Sequence, residues 1–320
     1  LEEFPLDINI LIAYPDKEIE KSWKADFKKR GYKNPNITYT THLSMWKVED
    51  RIYDLIIIDE IHLLSEAQLV SAKILLMLNR IVLGLTGTMS NDTEANLAYE
   101  LGLKVCANYP IELGIKEGVI TDYQITVFKV PLDDIETGKF KKPERTEKKQ
   151  FQALSWVIKQ KQMEGDSGMF LRLNRMRIIQ NSVAKKNKTI ELLNEFKDER
   201  ILIFCGVTKI ADNLGCPSFH SKTKDKELFQ KFAKGEGKHL AVVKIGNAGT
   251  TYLPLNKVIM NSFDSNAENM AQKINRCMGM EYDTPDKKSH IYIISSTEPV
   301  EEKWLKKALE FFDPLKIKYV

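Results

Sequence analysis

The chain is poor in the features that mark secreted, metal-bound or membrane proteins. Its 4 cysteines, Cys106, Cys205, Cys216 and Cys277, stand far apart with no C-x-x-C pair. A disulfide framework and a thiolate metal site are therefore not expected, and the 5 histidines supply no close ligand pair. No apolar run approaches the ~18 residues of a membrane span. The opening LEEFPLD has no basic segment followed by an apolar one, as a secretory leader would. The expectation is a soluble intracellular protein with buried thiols in a reducing compartment and no membrane partner.

What is present is an ordinary globular balance, 43% apolar and 29% charged, over 320 residues. That length accommodates two domains, each with its own core. The net charge of +4 hides an asymmetry. Between Lys139 and Lys188 there are fourteen Lys or Arg and four Asp or Glu, a local excess of +10 that leaves the remainder at −6. A basic segment on an otherwise acidic chain is a candidate contact for a phosphate backbone; a solvated helical face would give the same count.

Short β-branched runs alternate with helical stretches through the first half. Ile8 to Tyr14, Asn36 to Thr41, Tyr53 to Asp59 and Ile81 to Thr86 read as strands, with helices over 16–29 and 64–78. Near-continuous apolar strands separated by helices predict a parallel sheet covered on both faces. Ile125 to Val130 reads as the last strand of this first domain. A hydrophilic stretch follows, broken by Gly138 and Pro143, and then helical periodicity over 150–162 and 173–196. The α/β pattern restarts at Arg200. It brings helices over 224–234, 267–278 and 300–312, and strands over 200–204, 240–245, 258–261 and 290–294. The predicted organisation is a first α/β domain over 1–132, a basic helical insertion or connection over 133–196, and a second α/β domain over 197–320.

The strongest local signal is Asp54-Leu-Ile-Ile-Ile-Asp59-Glu60-Ile61-His62. An apolar strand here delivers two adjacent carboxylates at its C-terminal end, where open α/β sheets place ligands. One carboxylate there can hold Mg²⁺, directly or through water, against nucleotide phosphates, and its neighbour can orient or deprotonate an attacking water. The same pair could simply open a helix, where acids suit the dipole.

With its surroundings, this segment resembles motif II of superfamily 2 helicases, commonly DEAD, DEAH or DExH; here Asp59 to His62 reads DEIH. Leu85-Thr86-Gly87-Thr88 is similar to motif III, Ile10 to Pro15 with Ser22-Trp23 to motif Ia, and Tyr39 to Ser44 to motif Ib. Arg200 to Cys205 resembles motif IV. Phe219 to Lys222 resembles the segment before motif V, Val242 to Pro254 stands where motif V falls, and Asn269 to Met280 where motif VI falls. The ordered recurrence covers nearly all of the chain outside the basic middle region.

The resemblance implies two RecA-like parallel-sheet domains in tandem and ATP with Mg²⁺ as cofactors. It implies a catalytic set of Asp59, Glu60, His62, Gln272 and Arg276, with Asp59 on the metal and Thr86 and Thr88 coupling nucleotide state to nucleic acid. Pro15, Thr41, Ser44, His220 and Thr250 would grip a nucleic-acid backbone, DNA favoured over RNA. Arg172, Arg175, Arg177, Lys185 and Lys186 of the basic stretch would add to that grip. Trp23 reads as a packing residue.

Three departures stand against the pattern. In the motif VI region Asn275 replaces the usual glycine and Gly279 the last arginine. In the motif V region Gly249-Thr250-Thr251 offers a hydroxyl where an aspartate is usual. No G-x-x-x-x-G-K-[S/T] phosphate loop occurs; the nearest look-alike, Gly235-Glu236-Gly237-Lys238, is followed by His239 and reads as a solvated turn. The expectation is that the loop lies in a missing N-terminal segment, with a protein partner as the second candidate. The alternatives are a helicase-fold nucleic-acid binder without efficient turnover, and the motor subunit of a larger nuclease or packaging assembly. Oligomeric state is not legible in the sequence.

Overall fold

The computed structural model describes residues 7–133, 146–243, 255–278 and 288–320, apart from Arg80, Thr88, Lys226, Asp264 and the side chains of Glu18, Glu268, Arg276 and Cys277. Thr88, Gly138, Pro143, the stretch 244–254 with Thr250, Gly279 and the side chain of Arg276 thus lie outside it. The chain forms two compact units, one running to Tyr109 and the other taking up at Pro110.

The first unit runs β1 (Ile10–Tyr14), α1 (Lys17–Lys29), β2 (Ile37–Thr41), a 3-10 helix (His42–Lys47), β3 (Leu55–Asp59), a 3-10 turn (Ile61–Leu63), α2 (Glu66–Leu78), β4 (Val82–Leu85) and α3 (Asn91–Leu101). The four strands are all parallel, in the order β2-β1-β3-β4. β1 and β3 are central and apolar on both sides, and their alternate residues feed two cores. Ile10, Ile12, Leu55 and Ile57 meet Ile19, Trp23 and Phe27 of α1. Leu11, Ala13, Ile56 and Ile58 meet Leu69, Ala72 and Leu75 of α2 and Leu97 and Leu101 of α3. Ser65 starts α2 with a reciprocal capping box closed by Gln68.

β4 carries Gly84 against the 3-10 turn that follows β3. A Cβ built there would lie 2.7 Å from Ile61 Cδ1 and 3.1 Å from its Cγ2. Gly84→Ala is therefore expected to push Ile61 and its turn outward at a cost of roughly 1–3 kcal/mol, read by urea denaturation. A variant as stable as the parent would show that Ile61 has room to give.

The second unit adds α4 (Ile111–Lys116), β5 (Asp122–Val130), α5 (Glu147–Met163), α6 (Met169–Gln180), α7 (Val183–Glu195), β6 (Ile201–Cys205), α8 (Thr208–Ala211) and β7 (Ser218–Phe219). It continues with α9 (Leu228–Ala233), β8 (His239–Val243), β9 (Lys257–Met260), α10 (Ala267–Met278), β10 (Lys288–Ser296), α11 (Pro299–Ala308) and β11 (Ile317–Tyr319). Its sheet is parallel throughout, in the order β11-β5-β10-β9-β6-β8-β7. One face packs on α9, α10 and α11 through residues such as Phe232, Met270, Ile274 and Leu305. The other packs on α7 and α8 through Leu192, Leu193, Ile210 and Ala211.

Two expectations are corrected here. The strand expected to close the first domain, Ile125 to Val130, belongs to the second sheet: β5 pairs with β10 over nine residues and with β11 on its other side. Its alternation of buried Tyr123, Ile125 and Val127 with Gln124 and Thr126 marks a strand, but parallel partners are chosen at long range. Nor do the described residues within 133–196 form a separate connection. α7 forms part of the second unit's core, and α6 is split from it by a break at Asn181, where Ser182 caps α7 by accepting from Lys185 N.

Candidate nucleotide and nucleic-acid site

The C-terminal edge of the first sheet gathers most of the first unit's expected residues. β3 ends on Asp59, which follows Leu55 and Ile57 on the face covered by α1. Trp23 of α1 reaches it: the indole Nε1–H donates to Asp59 Oδ2 at 2.8 Å. The other carboxylate oxygen accepts from the Glu60 backbone N–H at 3.0 Å. The Asp59 carbonyl accepts from His42 Nε2–H at 2.9 Å. Trp23 and His42 thus hold the acid at its side chain and its backbone. Neither stood among the expected site residues, although both lie in the quoted motif segments, and the bonds that bring them in span 36 and 17 residues.

Glu60 is the one non-glycine among the described residues with positive φ, at φ 50, ψ 48. A left-handed glutamate costs on the order of 1–3 kcal/mol and persists where its surroundings over-determine it. Here they do. Its amide is tied to Asp59, the preceding carbonyl is tied to His42, and Ile61 is wedged against Gly84. The sharp turn swings His62 under the sheet edge, where its side chain is 1% exposed. His62 Nδ1 lies 2.8 Å from Thr86 Oγ1 and 3.4 Å from Glu60 Oε2. Four expected residues, Asp59, Glu60, His62 and Thr86, therefore form one cluster across the ends of β3 and β4.

Pro15 and Thr41 stand at the same edge, because β1 and β2 end in register at Tyr14 and Thr41. Tyr14 donates its hydroxyl proton to Glu20 of α1, and Lys24 hydrogen-bonds the same carboxylate, holding it below the usual carboxylate range. Ser44 lies on the 3-10 helix after β2, between Leu43, 74% exposed, and Trp46, 63% exposed. A groove of 230 Å³ runs beside β4, lined among others by Leu83, Thr86, Leu97, Leu103 and Val105. Among the described residues no strand pairs with the outer side of β4.

Burial lowers the pKa of His42 to about 4 from its usual 6.5, against the opposing effect of its bond to Asp59. The sign follows: between those values the unfolded chain binds a proton that the folded chain refuses. His42 thus makes stability fall as pH drops from about 6.5 to about 4, by on the order of 3 kcal/mol. His42→Gln should flatten this part of the stability–pH curve; an unchanged curve would remove His42 as its cause.

In the second unit the expected residues are dispersed. Arg172 and Arg177 are exposed on α6, while Arg175 is half-buried, 5.6 Å over the Phe151 ring. Lys186 is half-buried. Lys185 is not available to a phosphate backbone: it is 1% exposed, with Nζ 2.6 Å from Glu301 Oε1. His220 is also withdrawn, at 7% exposure. Its Nδ1 accepts from Lys222 N–H at 3.2 Å and its Nε2–H donates to Asp212 at 2.9 Å, so both ring nitrogens are occupied. Gln272 and Arg276 both fall on α10, four residues apart. Lys238 of the phosphate-loop look-alike pairs with Asp198 at 2.7 Å on an exposed turn, as the sequence suggested. No group of three or more His, Cys, Asp or Glu suited to a metal occurs among the described residues. None of the described helices is long and apolar enough to cross a membrane.

No protein-family model matches the chain, and no curated protein matches it in sequence. In three dimensions it is similar to S. cerevisiae Dbp5 bound to RNA and ADP BeF3, with a TM-score of 0.60 and 10% identity over 99% of this chain and 79% of that one. The Pyrococcus furiosus Hef helicase domain is a looser likeness, with a TM-score of 0.49 and 12% identity over 95% of this chain and 90% of that one, and bears no weight here. The two parallel α/β units have the tandem RecA-like fold of helicases.

Proposed function

We propose that this chain is the motor part of an ATP-driven helicase or translocase that couples Mg-ATP hydrolysis to movement along nucleic acid, DNA in the first instance. The observation that carries the reading is the Asp59–Glu60–His62–Thr86 cluster at the C-terminal edge of a parallel sheet, built on a strained glutamate. Asp59 offers a hard oxygen ligand, and Mg²⁺ is commonly held by one or two carboxylates while phosphates and water complete its shell. Each Asp59 oxygen accepts one hydrogen bond, and a carboxylate retains lone pairs beyond those, so the residue fits. Bound there, the ion would neutralise charge on the phosphate oxygens. Glu60 orients the attacking water and takes its proton. His62 and Thr86 tie the acidic turn to the end of β4, so that a shift at one is felt at the other. Gln272 and Arg276 are proposed as catalytic on the motif VI resemblance alone, and Thr88 and Thr250 as serving coupling and backbone contact.

Pro15, Thr41 and Ser44 contact the nucleic-acid backbone, with Arg172, Arg177 and Lys186 adding sequence-independent grip. Among the described residues the outer side of β4 is unpaired and apolar, and it ends at Thr86 beside the acidic turn. ATP hydrolysis by the intact protein or assembly should rise on adding DNA or RNA, as measured by phosphate release. Absence of stimulation by any single- or double-stranded nucleic acid would sink the motor reading. The lack of a G-x-x-x-x-G-K-[S/T] in this sequence favours a second reading, a helicase-fold nucleic-acid binder without turnover, whose salt-sensitive binding would be indifferent to nucleotide.

A further inference from the structure

α5 and α6 form a helical hairpin whose far end is rich in uncovered apolar side chains. Trp156 is 64% exposed, Met163 70%, Met169 64% and Phe170 82%. At its root, Phe151 and Ile179 are buried against Leu132, with Val300 and Trp304 packed beside them, so the exposure belongs to the free end of a well-anchored element. Helical spacing orders these residues. Trp156, Lys159 and Met163 fall on one stripe of α5, and Phe170, Asn174 and Arg177 on one stripe of α6.

Most cations of the two helices have no carboxylate of the hairpin to answer them. The hairpin's acids are used internally: Lys161 pairs with Glu164 at 3.4 Å and Asp166 at 3.7 Å, while Glu147 accepts the backbone N–H groups of Asp133 and Val183. Lys149, Lys159, Arg172 and Arg177 have no carboxylate within ion-pair distance among the described residues. At the hairpin's root lies a cavity of 480 Å³, of nucleotide size, lined by Phe151, Ser155 and Val300 with the cations Arg175 and Lys303 and the acid Glu298 at its wall. Aromatic rings, methionine and arginine are also enriched at protein interfaces, but the unpaired lysines among them and the local excess of positive charge favour a stacked, phosphate-linked ligand.

We infer that the α5–α6 hairpin is a single-strand-binding arm, on which nucleobases stack against Trp156 and Phe170 while Lys159 and Arg177 hold the backbone and the root cavity seats one splayed nucleotide. This rests on the nucleic-acid reading above and deepens it, assigning base contacts to a region read only as basic. Stacking on an aromatic face tolerates any base, so the arm holds strand without reading sequence.

The test is fluorescence anisotropy of a labelled oligothymidylate with the intact protein at several salt concentrations. Trp156→Ala and Phe170→Ala should each weaken binding roughly 5- to 150-fold, while Trp156→Phe retains most of it. Tyr99→Ala, an equally exposed ring on α3 (87%), should change nothing. Lys159→Gln with Arg177→Gln should make the dependence of log affinity on log salt shallower by about 0.7 per lost phosphate contact, and Lys303→Gln should weaken binding further. Parent protein that binds strand beside a Trp156→Ala/Phe170→Ala variant that binds equally well overturns this inference and leaves the motor reading standing. Parent protein that binds no nucleic acid overturns both. A double variant that keeps its nucleic-acid affinity but loses a co-purifying protein assigns the face to a protein partner and overturns the proposal.

Discussion

Glu60→Gln is expected to lower nucleic-acid-stimulated ATP hydrolysis by about 10²–10⁴-fold, the usual contribution of a positioned general base, while nucleotide and nucleic-acid binding persist. The amide keeps the shape of the side chain and can still orient a water, but it cannot take the proton. The backbone makes a second substitution informative. Glu60 sits at φ 50, ψ 48, where glycine pays no Cβ penalty, so Glu60→Gly should abolish turnover equally while stabilising the unit by roughly 1 kcal/mol. Activity lost in both variants, with stability gained only in Glu60→Gly, would identify a residue held in strain for chemistry. Turnover undiminished in Glu60→Gln would remove Glu60 from the reaction. A destabilised Glu60→Gly would show that the glutamate side chain, rather than its backbone, anchors the turn.

Loss of either partner of the Lys185–Glu301 pair is expected to destabilise the second unit by about 3–5 kcal/mol. The pair is 2.6 Å long, with both side chains all but fully buried. Glu301 also accepts from Ser296 N–H at 2.6 Å, and the Lys185 ammonium lies 5.3 Å from the Phe263 ring centroid. Lys185→Met leaves a buried carboxylate with one donor removed, and Glu301→Leu leaves a buried ammonium. Removing both charges should cost less than removing either, because the desolvation penalty disappears with the attraction. Urea denaturation of the two single variants and the double variant gives the coupling directly. Additive losses would show that the charges do not depend on each other. If Lys185 instead touched a phosphate backbone, Lys185→Met would weaken nucleic-acid binding without loss of stability.

These two sites show how differently residues disclose themselves in a sequence. Asp59 and Glu60 were legible because an apolar strand ending in adjacent acids is a local pattern with a local cause. Thr86 was legible because the next strand places it beside them, two elements on. His42 and Trp23 were not, since a histidine after a strand and a tryptophan in an amphipathic helix look like packing until the sheet folds them against Asp59. Lys185 and His220 failed in the opposite direction. A lysine in a basic run reads as a surface charge, and only the packing of α7 beside α11 takes it out of water and gives it Glu301.

The alternation of β-branched runs and amphipathic helices by itself determined two parallel α/β units, because each strand's apolar sides and each helix's apolar stripe are set by residue spacing alone. It also put the acids at a strand end and the basic excess in the middle of the chain. Tertiary structure decided which sheet receives β5, which cations remain in solvent, and why a glutamate accepts a left-handed backbone. Each of these turns on partners tens to more than a hundred residues away, and pairing at that range is settled by burial and geometry that no local pattern encodes.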